Sequence, residues 1–261
     1  YDVLAFFHPE LAAQTRRVDD HASFPSALPV RREVPWAGWV TIQIGCDNAC
    51  AFCIVPAVRG KEISRPFADI IAEVRGAAGD GVTEVTLLGQ NVNSYGRDIA
   101  LAERQSGADT KVRPMFAELL RAVGAVDGIR RIRYTSPHPK DLRVETIAAM
   151  AETPEMCEHL HLPLQSGSDR VLAAMHRGYT AERYLERLAA ARAAIPDLAV
   201  TTDLIVGFPG ETDDDFARTL EVVAEAAYDS AYTFIFSPRP GTEAADRVDE
   251  FIAPEVVAER F

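Results

Sequence analysis

Six short apolar runs alternate with longer segments of helical periodicity along most of this chain. The apolar runs predict β-strands at 39–44, 84–88, 130–135, 159–162, 199–206 and 231–236. Amphipathic patterns predict helices at 66–79, 114–124, 141–152, 168–175, 180–194 and 212–227. Strands separated by helices of this length form parallel sheets, because the chain must cross back before each new strand begins. The pattern therefore predicts an α/β fold, a partial, open TIM-like barrel of about six βα units rather than a closed barrel of eight.

The two ends of the chain differ from this central region. Residues 1–35 show no sustained periodicity and contain four prolines, which interrupt helices and strands. We interpret them as a linker or the remnant of an N-terminal domain. Residues 36–247 are predicted to form the core domain, and residues 248–261 the start of a connection to a C-terminal domain.

The charge balance excludes a general polyanion binder. Lys and Arg number 27 against 39 Asp and Glu, which gives a formal net charge of -12. The acidity is concentrated in residues 211–261, which contain 13 acidic and 4 basic side chains. No apolar run reaches the roughly 18 residues of a membrane-spanning helix, and no signal-peptide pattern opens the chain. We therefore expect a cytoplasmic protein with no membrane partner.

Three of the four cysteines lie within eight residues, directly after the first predicted strand. Cys46, Cys50 and Cys53 stand in GCDNACAFC, and thiols on so tight a loop are poorly placed to pair as disulfides. Structural zinc takes four ligands, usually as two spaced pairs, so zinc here would need Cys157 or a histidine. An iron–sulfur cubane held by three thiolates leaves one iron open to a substrate or cofactor. The isolated Cys157 is interpreted as a buried small hydrophobic residue rather than a ligand.

The spacing C-x3-C-x2-C, with Phe52 before the last cysteine, resembles the signature of the radical S-adenosylmethionine (SAM) superfamily. The resemblance implies the radical SAM fold, a [4Fe–4S] cluster held by the three cysteines, and SAM chelated to the open iron. In that superfamily one electron from the reduced cluster cleaves SAM into methionine and a 5′-deoxyadenosyl radical. No protein side chain is therefore expected to be catalytic, because cluster and SAM carry the radical chemistry.

Further SAM contacts follow from the same resemblance. The turn after the second strand stands where the superfamily often has a Gly-Gly-Glu-like sequence for the SAM amino group, with Gln90 in place of the acid. Turns after the fourth and fifth strands resemble its ribose, methionine and adenine contacts. The cofactor-binding residues implied in this way are Gly89, Gln90, Gln165, Ser166, Asp203 and Gly207.

Longer segments of the sequence identify a smaller group within the superfamily that this chain resembles. These are 56–66 (PAVRGKEISRP), 87–96 (LLGQNVNSYG), 134–139 (YTSPHP), 161–180 (HLPLQSGSDRVLAAMHRGYT), 206–212 (VGFPGET) and 236–245 (FSPRPGTEAA). They resemble the MiaB-type tRNA methylthiotransferases, which add a methylthio group to carbon 2 of an isopentenylated adenosine beside the anticodon. Relatives that modify threonylcarbamoyl-adenosine differ in the QNVN segment, and relatives that modify a ribosomal protein differ in QNVN and SPHP. Both remain alternative targets.

The resemblance also implies partners. They are a tRNA anticodon stem-loop, an electron donor such as a flavodoxin or ferredoxin, and a sulfur donor. Arg59 is expected to bind the SAM carboxylate or a tRNA phosphate. The residues expected to contact substrate are Asn91, Asn93, Tyr95, Tyr134, His138 and Arg239.

Full-length members of this group carry a second cluster on an N-terminal domain and a C-terminal RNA-binding domain of the TRAM type. The core is expected to bind its cluster and SAM but not to complete methylthiolation alone. An alternative of another class is a zinc-stabilised RNA-binding module without catalysis.

Overall fold

The computed structural model describes residues 32, 34–109 and 111–261. The interpretation of residues 1–35 as a linker falls mostly outside these residues. The strands are β1 (Ala37–Thr41), β2 (Gln43–Ile44), β3 (Ile63–Ser64), β4 (Glu84–Leu88), β5 (Arg131–Tyr134), β6 (His159–His161), β7 (Ala199–Val206) and β8 (Ser230–Ile235).

Helices follow most of these strands. They are α1 (Val55–Arg59), α2 (Phe67–Gly79), α3 (Arg97–Gln105), α4 (Phe116–Gly124), α5 (Val144–Glu152), α6 (Asp169–Ala174), α7 (Ala181–Ala194), α8 (Asp213–Ala226), α9 (Glu243–Asp246) and α10 (Pro254–Arg260). Short 3-10 turns lie at Val92–Ser94, Pro139–Asp141 and Val248–Glu250. No helix in the described part of the chain combines the length and the apolar character that crossing a bilayer requires.

The principal strands form two parallel sheets, in the orders β1-β4-β5 and β6-β7-β8. A parallel bridge between Ile132 on β5 and Met156, just before β6, joins them edge to edge. Within the described residues β1 and β8 do not pair, so the barrel stays open between its first and last strands. The prediction of an α/β fold with a partial, open barrel is confirmed.

The prediction of one continuous first strand over 39–44 is wrong. The chain pairs in parallel with β4 only as far as Thr41, and then Gln43–Ile44 turn away to pair antiparallel with Ile63–Ser64. Two paired residues give too short a pattern for periodicity to reveal. The resulting β2-β3 ladder matters because the three clustered cysteines lie in the connection between its strands.

Apolar helix faces cover the outside of the sheets. Ile70 of α2 and Leu119 of α4 are fully buried together with Val85 and Ile132 of the first sheet. Phe116 and Tyr134 meet edge to face at 5.2 Å between ring centroids. Burial of each such side chain contributes about 1.5–3 kcal/mol to the stability of the fold. This packing holds the strand ends in fixed positions relative to one another.

The last described elements pack onto the core. Thr212 caps α8 in a reciprocal capping box with Asp215, so the acidic run at 213–215 forms the first turn of this helix. Residues 248–261, expected to begin a connection, form a 3-10 turn and α10. Arg260 of α10 forms a buried ion pair with Glu211 at 2.8 Å, so this segment is anchored beside the end of β7.

Candidate functional site

The cysteine loop begins at Gly45, where only glycine fits. Its φ is +69°, and a Cβ built there would lie 1.9 Å from the carbonyl oxygen of Lys61. The amide of Cys46 donates to Gly60 O at 3.2 Å, and the amide of Glu62 donates to Asp47 Oδ1 at 3.0 Å. These two bonds hold the start of the cysteine loop against the residues that lead into β3.

All four cysteines carry free thiols. Cys46 is buried, whereas Cys50 and Cys53 are half-buried and joined by a tight turn in which the Cys53 amide donates to Cys50 O at 3.0 Å. Burial raises the pKa of the Cys46 and Cys53 thiols, and the negative charge of neighbouring cysteines adds to the effect. Thiols such as those of Cys46 and Cys53, which resist ionisation alone, suit a cation-rich group that would hold them as thiolates.

The thiol arrangement fits a cluster better than a single ion. Within the described residues no three His, Cys, Asp or Glu side chains approach closely enough to bind one metal ion. A [4Fe–4S] cubane instead takes one thiolate per iron, at separate corners. Three sulfur ligands on one loop can occupy three of its four corners and leave the fourth iron open to another ligand.

A segment between α6 and α7 holds the cysteine loop from the other side. The Ala51 amide donates to Met175 O at 3.1 Å, and His176 Nδ1 donates to Ala49 O at 3.1 Å. Arg177 NH1 donates to Cys50 Sγ at 3.4 Å. Sequence reasoning assigned no role to this segment, which we call the collar (residues 175–177), although it lies inside the stretch 161–180 that carried the family resemblance.

A cavity of about 300 Å³ opens beside the loop at Phe52, the residue between Ala51 and Cys53. It brings together three residues expected from sequence, Gln165, Asp203 and Arg239. Its remaining lining residues are Ile205, Phe234, Ile235, Phe236 and Ser237. Phe234, which sequence reasoning missed, lies in a strand that was predicted only as a structural element.

The backbone of Gln165 is held in an unusual conformation at this cavity. Its φ is +71°, which is uncommon for a residue with a side chain. Its amide donates to Asp203 O at 2.8 Å, and its carbonyl accepts from the Ile205 amide at 2.9 Å. These two bonds attach the turn after β6 to the edge of β7 and fix Gln165 at the cavity wall.

Three other residues expected to contact SAM, Ser166, Gly207 and Gly89, are packed tightly against neighbouring residues. Ser166 is fully buried, with its hydroxyl 3.3 Å from Thr219 Oγ1 of α8. The Gly207 amide donates to Glu211 Oε2 at 2.9 Å, and a Cβ at Gly207 would lie 2.7 Å from Val257 of α10. A Cβ at Gly89 would lie 3.1 Å from Val92, so this turn is tightly packed.

A buried amide network lies at the ends of β4 and β5. Asn93 Nδ2 donates to His138 O at 3.0 Å, and the His138 amide donates to Asn93 Oδ1 at 2.9 Å. Asn91 Nδ2 donates to Asp141 Oδ2 at 2.8 Å. Lys140 Nζ donates to Asn48 Oδ1, which ties this network to the cysteine loop. The two asparagines expected to contact substrate therefore join two strand ends together.

His138 is buried within this network. Its Nδ1 accepts from the Lys140 amide at 3.2 Å, which places the proton of a neutral ring on Nε2. Burial, together with a smaller contribution from the positive charges of Arg177, Lys140 and Arg187, lowers the pKa of His138 to about 2. Nε2 is buried without a hydrogen-bond partner among the described residues, as are Gln90 Oε1 and Asn91 Oδ1.

Two aromatic residues expected to contact substrate, Tyr95 and Tyr134, lie in the core. The Tyr95 hydroxyl donates to Arg65 O at 2.7 Å, and its ring is fully buried. The Tyr134 hydroxyl donates to Met150 Sδ at 2.9 Å. Burial accounts for both placements, because each ring fills space between a strand and its covering elements. Arg59 and Arg239, by contrast, are exposed, and Arg239 NH1 donates to Ser237 Oγ at 2.9 Å.

Curated proteins are similar in sequence to this chain along most of its length. A tRNA-2-methylthio-N(6)-dimethylallyladenosine synthase of Salinispora arenicola is 55% identical over 250 residues, which cover 96% of this chain and 47% of that protein. The enzyme of the same name from Acidothermus cellulolyticus is 56% identical over 238 residues, which cover 91% of this chain and 46% of that protein. The chain thus spans about half the length of these curated relatives.

A solved structure shares the fold. The radical S-adenosylmethionine methyltransferase TsrM of Kitasatospora setae, with cobalamin and a [4Fe-4S] cluster bound, aligns with a TM-score of 0.61 at 16% identity. The alignment covers 80% of this chain and 38% of that one. The sequence profile described as the radical SAM superfamily matches residues 40–223, from β1 into α8 and including the whole cysteine loop. This chain therefore belongs to the radical SAM superfamily.

Proposed function

We propose that this chain is the radical SAM core of a tRNA methylthiotransferase, which binds a [4Fe–4S] cluster and SAM. The observation that carries the proposal is the placement of three free thiols on a rigid loop at the rim of a cavity of about 300 Å³. Three thiolates occupy three corners of a cubane and leave the fourth iron for another ligand. The high identity to tRNA-2-methylthio-N(6)-dimethylallyladenosine synthases supports the reaction type.

The residues of the chain divide the binding work. Cys46, Cys50 and Cys53 would hold the cluster, which when bound and reduced would supply the electron for cleavage of a carbon–sulfur bond of SAM. Asp203 offers a carboxylate to ribose hydroxyls, and the neighbouring Gln165 offers an amide in the same cavity. Gly89, Gln90, Ser166 and Gly207 lie in the turns that follow the strands and shape the strand ends around this cavity. The exposed Arg59 binds the SAM carboxylate or a tRNA phosphate in this proposal.

Apolar walls complete the cavity. Ile205, Phe234 and Phe236 line it, and Phe236 stacks edge to face on Phe208 at 5.5 Å. Rings of this kind pack against an adenine and exclude water from the reacting atoms. Water exclusion protects the substrate from side reactions, which is one of the main contributions a protein makes to cofactor-borne chemistry.

The proposed substrate is an isopentenylated adenosine next to the anticodon. A hydrogen on an aromatic carbon is not acidic, so general acid–base groups do not remove it and radical chemistry is needed. An anticodon-loop base is single-stranded and enters a pocket without opening a duplex. All six residues of β8 are exposed, which gives the base access along the open side of the barrel. An electron donor and a sulfur donor complete the proposed reaction.

Anaerobic reconstitution tests the cofactor part of this proposal. The chain is incubated with iron and sulfide, analysed for iron, sulfide and zinc, and then given SAM and dithionite. We expect iron and sulfide in equal amounts, and 5′-deoxyadenosine formed only when both additions are present. Stoichiometric zinc without sulfide would contradict the proposal and favour a zinc-stabilised module.

Nucleoside analysis tests the substrate. Mass spectrometry of tRNA from cells lacking the protein is expected to show isopentenyladenosine without its methylthio group. Loss of the methylthio group from threonylcarbamoyl-adenosine, or from a ribosomal-protein aspartate, would instead assign one of the two alternative targets.

A further inference from the structure

Arg177 is a buried arginine whose guanidinium reaches a cluster cysteine. Arg177 is 6% exposed, and its NH1 donates to Cys50 Sγ at 3.4 Å. On its other side Nε donates to Tyr179 OH at 3.2 Å. The Tyr179 hydroxyl in turn donates to Leu164 O at 2.8 Å, so the guanidinium is held by an anchored neighbour.

Arg177 differs from another buried arginine in its charge partner. Arg260 forms an ion pair with Glu211 at 2.8 Å and with Asp213 at 2.5 Å. Among the described residues no carboxylate oxygen lies within 4.0 Å of the Arg177 guanidinium. A buried cation without an anionic partner is costly, so its compensating charge must come from the group at Cys50.

Other cations lie near the same place. Arg177, Lys140 and Arg187 each act on the buried ring of His138 by positive charge. The side chain of Lys140 also contacts Asn48 in the cysteine loop. The region behind the loop is thus rich in positive charge, which suits a group of net negative charge in front of it.

The collar keeps this arrangement rigid. Hydrogen bonds from Ala51 to Met175 and from His176 to Ala49 fix the loop on either side of Cys50. His176 has a φ of +56°, a conformation that this non-glycine residue adopts because its neighbours hold it there. The distance from the guanidinium to the sulfur is therefore set by the fold on both sides.

We propose that Arg177 is a positioning residue that acts through Cys50 to raise the reduction potential of the cluster. The inference rests on the proposed function, which places that cluster on this loop. A cluster held by three thiolates carries net negative charge, and reduction adds one more negative charge. An N–H to sulfur hydrogen bond and a fixed positive charge both stabilise the reduced state. The effect is independent of pH, because the guanidinium stays protonated.

Four variants test this inference: Arg177→Met, Arg177→Gln, Arg177→Lys and, as a control of equal charge change, Arg218→Gln. Arg218 is exposed on α8 and pairs with Glu221. Each protein is reconstituted anaerobically, its iron and sulfide are measured, and its midpoint potential is determined by redox titration followed by electron paramagnetic resonance. For Arg177→Met we expect the equilibrium constant for reduction to fall about tenfold, which corresponds to about 59 mV for one electron.

The other variants separate the effect of the positive charge on the midpoint potential from the effect of the hydrogen bond to sulfur. Arg177→Lys keeps the charge and is expected to restore part of the loss, whereas Arg218→Gln is expected to match the parent. If Arg177→Met binds less iron than the parent, the midpoint potentials of Arg177→Lys and Arg177→Gln are compared instead. Equal potentials in the compared variants and the parent, at full iron content, would overturn the inference. Failure of the parent to bind a cluster would instead refute the proposed function.

Discussion

The carboxyl ends of the two sheets differ in how deeply their polar side chains are buried. At β1-β4-β5, Asn91 and Asn93 are almost fully buried and hydrogen-bond to Asp141 and to the backbone of His138. At β6-β7-β8, Asp203 stays accessible in a cavity whose wall includes Phe234, which is 51% exposed. The first half therefore braces the cysteine loop, and the second half offers surface to a ligand.

This difference shows that residues of one family signature divide between structure and binding. QNVN and SPHP lie in the braced half and interlock, whereas the turns after β6 and β7 lie in the open half. Substitutions in the first half should change stability and loop geometry. Substitutions in the second should change ligand affinity with little effect on stability.

Cys50→Ala should have the largest effect of these substitutions, because it removes a proposed cluster ligand from the braced loop. A cluster with two remaining thiolates loses a corner, so we expect most of the bound iron and all formation of 5′-deoxyadenosine to be lost. Iron analysis and the cleavage assay measure this. Cys157→Ala is the matched control, and iron loss in that variant would show that Cys157 is a ligand after all.

Gly45→Ala should be the next most damaging change. A new Cβ would lie 1.9 Å from Lys61 O, so the loop must move, at a cost of about 1–3 kcal/mol beyond backbone strain. Gly60→Ala is the matched control, since Gly60 also has positive φ but has open space around its Cβ position. Denaturant unfolding compares the two variants, and equal free energies of unfolding would contradict the role assigned to this close contact.

Asn93→Ala tests the brace itself. It removes both hydrogen bonds to the His138 backbone and leaves buried groups unpaired, so we expect the free energy of unfolding to fall by about 2–3 kcal/mol. Gln105→Ala, an exposed amide at the end of α3, should change it by no more than about 0.5 kcal/mol. Urea titration of both variants decides the matter; a stable Asn93→Ala protein with reduced tRNA affinity would assign Asn93 to substrate binding instead.

Acidification should weaken the same brace through His138. The folded-state pKa of about 2 lies below the unfolded value of 6.5, so only the unfolded chain binds the proton as pH falls below 6.5. Stability is therefore present above pH 6.5 and is lost below it, by up to about 1.4 kcal/mol per pH unit. Unfolding measured between about pH 7.5 and 5.5 should show a shallower slope in His138→Asn. Identical slopes would mean that His138 is charged or exposed in the folded protein.

Phe234→Ala should have the smallest effect, confined to the open half. Because the ring is half exposed, we expect the free energy of unfolding to change little and the affinity for SAM to fall by about 1 kcal/mol, or roughly fivefold. Tyr232→Ala is the matched aromatic control, since Tyr232 is 62% exposed and does not line the cavity. Equilibrium dialysis with SAM measures both, and equal losses of affinity would remove Phe234 from the site.

Sequence patterns located the strands that are long and apolar and missed contacts made across the chain. β4 and β7 were predicted with their observed bounds, because each strand is followed directly by a glycine, Gly89 or Gly207, that ends it. Helix α3 was missed because its nine residues are mostly polar and bury only Ala100. The cysteine loop was evident from spacing alone. Arg177, 127 residues after Cys50, was not assigned, because no local pattern reports a contact at that separation.

Electron paramagnetic resonance of the reconstituted, reduced protein tests the central claim most directly. The claim is that Cys46, Cys50 and Cys53 cap three irons and leave the fourth for SAM in the adjoining cavity. The spectrum recorded before and after addition of SAM should change, because a new ligand at one iron alters the electronic structure of the whole cluster. A spectrum from a fully loaded cluster that is identical with and without SAM would contradict the account.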